Sequence, residues 1–235
     1  MNSDSGLFFK EPKPGIMLFK GDAIQVTNRL INEFGAKFAD AIITDPPYGC
    51  VLEGEKQPNK DIPAFLDKDI WEIVWKSVKD DGAVLMFNEG AAWVKLVYSG
   101  FKYFRYNYAF DSKKNRGHLN CNRMPMLRHG LIAVFYKKKP TYNPQLDDEV
   151  FDGHYPCDML KYVRDGKREI YPHERNVNVL EFLVKTYTNE GDTVFDFCMG
   201  AGSLAEACYK TNRKFVGIEL IDETYDKAYK RIRDL

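Results

Sequence analysis

The chain has 235 residues, 34 Lys and Arg balanced by 34 Asp and Glu, 44% apolar residues and 14% aromatics. A chain this long buries roughly 70–75% of its unfolded surface, which excludes a mini-protein that depends on disulfides or a metal. No run approaches the roughly 20 consecutive apolar residues of a membrane span, and the opening Met1-Asn-Ser-Asp-Ser-Gly6 lacks a basic segment followed by an apolar one, so neither a span nor a secretory signal is expected.

Residues 1–14 are polar and contain prolines, and are expected to form a flexible N-terminal arm. Gly15-Ile-Met-Leu-Phe-Lys-Gly-Asp22 predicts a strand, followed by a helix from about Ala23 to Phe34. Ala41-Ile42-Ile43 is continuously apolar, the pattern of a strand covered on both faces, and runs directly into Thr44-Asp45-Pro46-Pro47-Tyr48-Gly49. A helix is predicted over 62–79, a buried strand over 82–87 and a helix near 89–98. Strands at 104–110 and 130–137 read as antiparallel neighbours separated by a polar excursion. Residues 138–172 are rich in Pro, Asp and Lys without steady periodicity, and suit a small accessory lobe. The remainder predicts a helix at 176–188, a strand at 193–198, a helix at 203–210 after Gly200 and Gly202, and a strand at 214–220. A last helix carries Tyr225, Ala228, Tyr229 and Ile232 as one apolar stripe. Strands alternating with helices make this an α/β protein with a mostly parallel sheet covered on both faces.

The zero net charge hides an asymmetry. Residues 101–140 hold ten Lys and Arg against Asp111 alone, a balance of +9, so the rest of the chain carries −9. Eight Phe and Tyr are interleaved with those bases, a combination suited to a polyanion whose bases can be stacked upon, and equally to a hairpin with a solvated basic face. The five cysteines, Cys50, Cys121, Cys157, Cys198 and Cys208, are odd in number and never at metal-ligand spacing. Reduced thiols, no metal and a cytoplasmic setting are the expectation.

Val194-Phe-Asp196-Phe-Cys198-Met-Gly200-Ala-Gly202-Ser203-Leu-Ala205 reads as strand, glycine turn and helix. Glycines admit a ligand close to the backbone, and the helix start supplies amide donors. Glu219 ends the next strand, 19 residues after Gly200, where a carboxylate can accept hydrogen bonds from both hydroxyls of a ribose. The pattern predicts a nucleoside-cofactor site. It also satisfies the dinucleotide fingerprint, but only 16 residues follow Glu219, so the other strands must come from the N-terminal part and the sheet is permuted. That order disfavours a dehydrogenase.

Asp45-Pro46-Pro47-Tyr48 follows a buried strand, where open α/β sheets place ligands. Consecutive prolines fix φ and remove two amide donors, which stiffens the turn and leaves the Pro46 carbonyl available. A carboxylate and a fixed carbonyl together can accept both hydrogens of an exocyclic amine, and Tyr48 offers a face for base stacking.

With these motifs the sequence resembles the amino-methyltransferases of DNA that use S-adenosylmethionine, in the β-type order with the Asp-Pro-Pro-Tyr loop first. The resemblance runs from about Ile16 to Ile232. It implies a Rossmann-like, mostly parallel seven-stranded sheet with helices on both faces, circularly permuted, with a small DNA-recognition insertion. By resemblance, residues 15–110 are a catalytic half, 111–172 a partly inserted target-recognition region that includes the 130–137 strand, and 173–235 a cofactor-binding half. Asp45, Pro46, Pro47 and Tyr48 are the implied catalytic loop. Asp22, Asp45, Asn176, Asp196, Cys198, Gly200, Gly202, Ser203 and Glu219 are the implied cofactor residues, and Lys113, Lys114, Arg116, Asn120, Arg123 and Arg128 the implied DNA contacts. The segment from Arg123 and that from Phe135 to Asn143 resemble adenine-modifying members carried by phages or prophages. Departures are equally local. Cys198 stands where Phe is common, Ser203 where Thr is usual, Phe110-Asp111-Ser112-Lys113 where Trp-Asp/Glu-Lys is usual, and His173-Glu174-Arg175-Asn176-Val177-Asn178 in place of His-Pro-Thr-Gln-Lys-Pro. The implied reaction is adenine methylation in double-stranded DNA after base flipping. Methylation of cytosine's exocyclic amine or of RNA, and an inactive DNA-binding relative, stay open, as do a homodimer and a restriction endonuclease partner.

Overall fold

A computed structural model describes residues 8–47, 68–146, 153–160 and 174–235. Nine strands form one sheet: β1 (Phe9–Lys13), β2 (Ile16–Lys20), β3 (Ala39–Thr44), β4 (Val78–Asn88), β5 (Phe104–Arg116), β6 (Leu127–Phe135), β7 (Met159–Leu160), β8 (Thr193–Asp196) and β9 (Lys214–Glu219). Their order is β1-β2-β9-β8-β3-β4-β6-β5-β7. Pairing is parallel from β2 through β9, β8 and β3 to β4; β6 runs antiparallel to both β4 and β5. The described helices are α1 (Ala23–Phe34), α2 (Lys68–Ser77), α3 (Gly90–Ser99), α4 (Val177–Tyr187), α5 (Ser203–Lys210) and α6 (Asp222–Arg233).

Alternation along the strands divides the core in two. Ile42 and Val84 pack with Leu30 of α1, Val74 of α2 and Leu96 of α3. Their neighbours Ile43 and Leu85 face Leu183 of α4, Ala205 of α5 and Ile232 of α6. Strands that are apolar on both sides are therefore sandwiched between two helical layers. Helix starts are fixed by side chains: Asp22 accepts hydrogen bonds from the Ile24 and Gln25 amides at the head of α1, and Asn176 accepts one from the Asn178 amide at the head of α4. Among the described residues no helix is long and apolar enough to cross a membrane.

The expected seven strands are present as β2 to β6, β8 and β9, and both sheet edges are extended. Residues 9–13, expected within a flexible arm, are β1, antiparallel to β2. Phe9 stacks on Phe19 with ring centroids 5.2 Å apart, and Glu11 accepts a hydrogen bond from the Gly15 amide across the turn. Pro12 is tolerated because the strand is at the edge. At the opposite edge the two-residue β7 pairs with Ala109 and Phe110 of β5. The helix expected to reach residue 79 stops at Ser77. Val78 pairs with Ala39, and Lys79 forms an ion pair with Asp40 at 2.5 Å, so a polar stretch becomes the first part of β4. The polar excursion expected after residue 110 is a continuation of β5 to Arg116, closed by a 3-10 turn at His118–Asn120.

Candidate active site at the junction of β3 and β8

β3 and β8 are neighbours in the middle of the sheet, although they come from opposite halves of the chain. The connection after β3 leads to β4 on one side, and that after β8 leads to β9 on the other. Strand order therefore reverses between them, which opens a crevice at their carboxyl ends. Asp45 follows β3 and the glycine turn follows β8. Thr44 ties the two ends together, donating its hydroxyl to Asp196 Oδ1 at 2.7 Å, while the Cys198 amide donates to the same oxygen at 2.9 Å.

A cleft of about 190 Å3 lies over this junction, lined among others by Thr44, Asp45, Phe87, Arg175, Asp196, Cys198, Gly200 and Ser203. Asp45 and the glycine turn thus line one cavity, while Pro46 and Pro47 are not among its lining residues. Tyr48 lies outside the described residues. Pro46 is buried and Pro47 half-buried, which holds the turn against the sheet.

The two turn glycines differ. Gly200 has φ +54°, and a Cβ there would meet nothing within 4 Å; Gly202 has φ +79°, and a Cβ would come within 3.1 Å of Ala228 in α6. One glycine leaves backbone open toward the cleft, and the other permits close helix packing. Glu219 braces the turn, accepting hydrogen bonds from the Gly200 amide at 3.0 Å and the Ile221 amide at 2.8 Å. Burial raises its carboxyl pKa against the pull of those amides. Asp196 is pushed up to about 7, chiefly by burial, and burial likewise keeps the Cys198 thiol neutral. Asp22, Asn176, Gly202 and Glu219 are not among the residues lining the cleft; Asp22 and Asn176 serve as helix caps, and Glu219 reaches it only through the Gly200 amide.

Sequence reasoning missed the cation of the site. Arg175 donates from Nε to Asp45 Oδ2 at 2.7 Å, with its guanidinium 5.0 Å from the Phe87 ring and 5.9 Å from the Phe110 ring. The preceding Glu174 accepts from Ser203 at 3.2 Å and is paired with Arg231 of α6, which also donates to Glu206 at 2.7 Å and to the Ala201 carbonyl at 3.2 Å. This network ties the segment carrying Arg175 to the glycine turn. The visible signal was the departure of Glu174-Arg175 from the pattern of the resembled family.

The implied DNA contacts are spread along the β5–β6 hairpin. The side chains of Lys113, Lys114 and Arg116 lie outside the described residues, and Asn120 and Arg123 are exposed near the hairpin tip. Arg128 forms a two-pronged ion pair with Asp111, both bonds at 2.8 Å, so part of its charge is satisfied within the hairpin.

The sequence profile of the family described as DNA methylase, the N6 and N4 methyltransferases, matches residues 39–230. The chain belongs to the DNA methylase family. It is 26% identical over 220 residues to the type II methyltransferase M.HpaI of Haemophilus parainfluenzae, covering 82% of this chain and 68% of that protein. To the type II methyltransferase M2.DpnII of Streptococcus pneumoniae it is 21% identical over 243 residues, covering 88% and 87%. The fold is similar to that of the M1.HpyAVI–SAM complex (TM-score 0.66, 21% identity, 91% and 98% of the two chains covered). It is also similar to the PvuII cytosine-N4-specific DNA methyltransferase (TM-score 0.74, 15% identity, 95% and 87% covered). S-adenosylmethionine is the cofactor of this methylase family. The open backbone at Gly200 beside a braced carboxylate at the end of β9 fits a nucleoside at that position.

Proposed function

We propose that the protein transfers a methyl group from S-adenosylmethionine to the exocyclic amine of adenine in duplex DNA. The observation that carries this reading is the shared cleft: Asp45 and Gly200 line one cavity at the point where the strand order reverses. Gly200, Ser203, Cys198 and Glu219 would hold the cofactor, with Asp22 at the neighbouring strand end. When bound, the cofactor supplies an electrophilic methyl group on a sulfonium sulfur.

The residues of this chain then act on the amine. Asp45 and the Pro46 carbonyl accept its two hydrogens, which keeps electron density on nitrogen while the new bond to carbon forms. The methyl carbon's bond to sulfur breaks as its bond to nitrogen forms, and the nitrogen then gives its extra proton to water by way of Asp45, so no strong base is needed. Arg175 occupies one oxygen of Asp45 and fixes the direction of the other. An amine inside a duplex cannot reach the cleft, so the nucleotide must be turned out of the stack, at a cost of a few kcal/mol that stacking on Tyr48 would offset. Asp as the first residue of the loop favours adenine over cytosine by the family resemblance. Phosphate contacts along the hairpin give a steep salt dependence, with a slope of about −0.9 per phosphate neutralised.

Incubation of DNA with the protein and tritiated cofactor, followed by nucleoside analysis and sequencing of the modified positions, tests the reading. N6-methyladenine in a fixed sequence context is expected. N4-methylcytosine would move the target to the other base, and unlabelled DNA would leave a binding protein. Asp45→Ala is expected to bind the cofactor within a few-fold of wild type and to lose roughly 10²–10³ in turnover, the scale seen when one preorganised polar group is removed. Normal turnover in that variant overturns the role given to the loop.

A further inference from the structure

Beyond Asp111 the β5–β6 hairpin leaves the sheet. Among the described residues, β4 pairs with β6 as far as Leu131, and β7 with β5 at Ala109 and Phe110. Past those points the described pairing is between β5 and β6 alone, Asp111 with His129 and Arg116 with Leu127. β5 takes five steps from Asp111 to Arg116 while β6 takes two between His129 and Leu127, so β5 bulges here and the paired ribbon continues on the order of 7 Å past Asp111 at strand rise.

Its direction follows from the register. Thr44 of β3 is level with Met86 of β4, and Asn88 of β4 with Leu131 of β6, so the ribbon rises from the edge of the sheet that carries Asp45. Its foot touches the site, because the Phe110 ring lies 5.9 Å from the Arg175 guanidinium that holds Asp45.

The ribbon ends at Gly117, in a left-handed conformation, and the 3-10 turn His118–Asn120. At that turn Leu119 is 97% exposed, and Met124 and Met126 are 49% and 38% exposed close by in the chain. A solitary exposed leucine is ordinary. Three apolar side chains at the end of a projecting ribbon, in a stretch of net charge +9, are a different matter. The charge suits a polyanion, a two-stranded ribbon fits the major groove, and apolar tips of this kind enter between stacked bases.

We propose that Leu119 is a wedge that enters the duplex beside the target and takes the stacking position left when the nucleotide turns out toward Asp45. The proposal rests on the reading of the protein as a base-flipping methylase of duplex DNA, and adds to it the side chain that keeps the helix open.

The test uses the full chain and synthetic duplexes carrying the modified site found by sequencing. One has the target base paired, one has an abasic position opposite the target, and one has 2-aminopurine in the target position. Leu119→Ser is expected to slow single-turnover transfer to the paired duplex about ten- to hundredfold, the worth of one buried leucine. The gain in 2-aminopurine fluorescence should fall with it. On the abasic duplex, where opening is already achieved, the ratio of wild-type to variant rate should shrink toward one. Leu119→Met should restore both signals. Equal loss on the paired and abasic duplexes, or no loss on either, overturns the wedge. So does a change of sedimentation from dimer to monomer accompanied by equal loss, which would make the tip a subunit contact. Wild-type protein that labels no DNA would sink the methylase reading instead, and a pool of random-sequence duplexes carrying 2-aminopurine, which need only be bound, would then decide the wedge by the difference in fluorescence between wild type and Leu119→Ser.

Discussion

The cleft between β3 and β8 and the ribbon beyond Asp111 are built on opposite plans. In the cleft, groups far apart in the chain lock one another: Thr44 to Asp196, Arg175 to Asp45, Glu174 and Glu206 to Arg231. Among the described residues the ribbon is paired within its own two strands and carries the local ion pair of Asp111 with Arg128. One part is preorganised for chemistry, where a displacement of an ångström costs rate. The other can adjust to a duplex without disturbing the reacting groups.

That contrast can be broken most severely beneath the cleft. Arg231 and Glu174 are both more than nine-tenths buried, so Arg231→Met removes the cation that Glu174 and Glu206 share, Lys210 still pairing with Glu206 at 2.6 Å. A loss of about 3–5 kcal/mol is expected, the usual cost of removing one partner of a buried pair. Thermal unfolding should register it as a fall of roughly 2–4 °C per kcal/mol for a chain of this size. An unchanged midpoint would mean that the glycine turn and α4 are held by packing alone.

A smaller effect is expected one residue along. Arg175→Met removes the charged donor to Asp45 but keeps the stem over Phe87 and Phe110. Turnover should fall about tenfold, close to the lower end of what a charge-assisted hydrogen bond contributes. Arg175→Lys should recover part of it, and KM for the cofactor should move less than kcat. Equal changes in both would make Arg175 a binding group and not a positioning one.

The third effect concerns pH and is small at any one step of the scale. Asp196 is raised to about 7 by burial, so the folded state holds its proton in a range where the unfolded chain has released it. The sign follows: this group stabilises the fold at low pH, and its contribution declines as pH rises from about 4 toward 7. Asp196→Asn keeps an acceptor for Thr44 and Cys198 and removes the titration. The stability difference between wild type and variant should change by at most about 1.4 kcal/mol per pH unit in that window and level off above it. A flat difference in denaturant titrations would place the Asp196 pKa back in the ordinary carboxylate range.

Legibility in the sequence followed the same divide. The bounds of α1 and the stripe of Tyr225, Ala228 and Ile232 on α6 could be read directly, because periodicity and caps are local signals. Strand, turn and acid around Gly200 and Glu219 were readable for the same reason. β1 was missed since a polar segment containing Pro12 looks like coil until the edge of β2 gives it a partner. Val78 and Lys79 read as the end of a helix because the strand that pairs with Val78, at Ala39, lies elsewhere in the chain. Arg175 was invisible as part of the site for the strongest form of that reason: its carboxylate is 130 positions away. The ribbon was half legible, its charge countable but its reach dependent on where β4 and β7 stop.

The edge strand β1 has one more consequence. Lys10 of this first strand reaches Asp226 at 3.7 Å and lies 4.3 Å from the Tyr229 ring, so the opening and closing elements of the fold are packed side by side. A short peptide bridge could join them, and a fresh pair of ends could be cut at the exposed bend Asn189–Gly191, between α4 and β8. Such a rewired chain would make the glycine turn before the Asp-Pro-Pro segment and still bring both to the same crevice, since the active centre depends on which strands are neighbours and not on which is synthesised first.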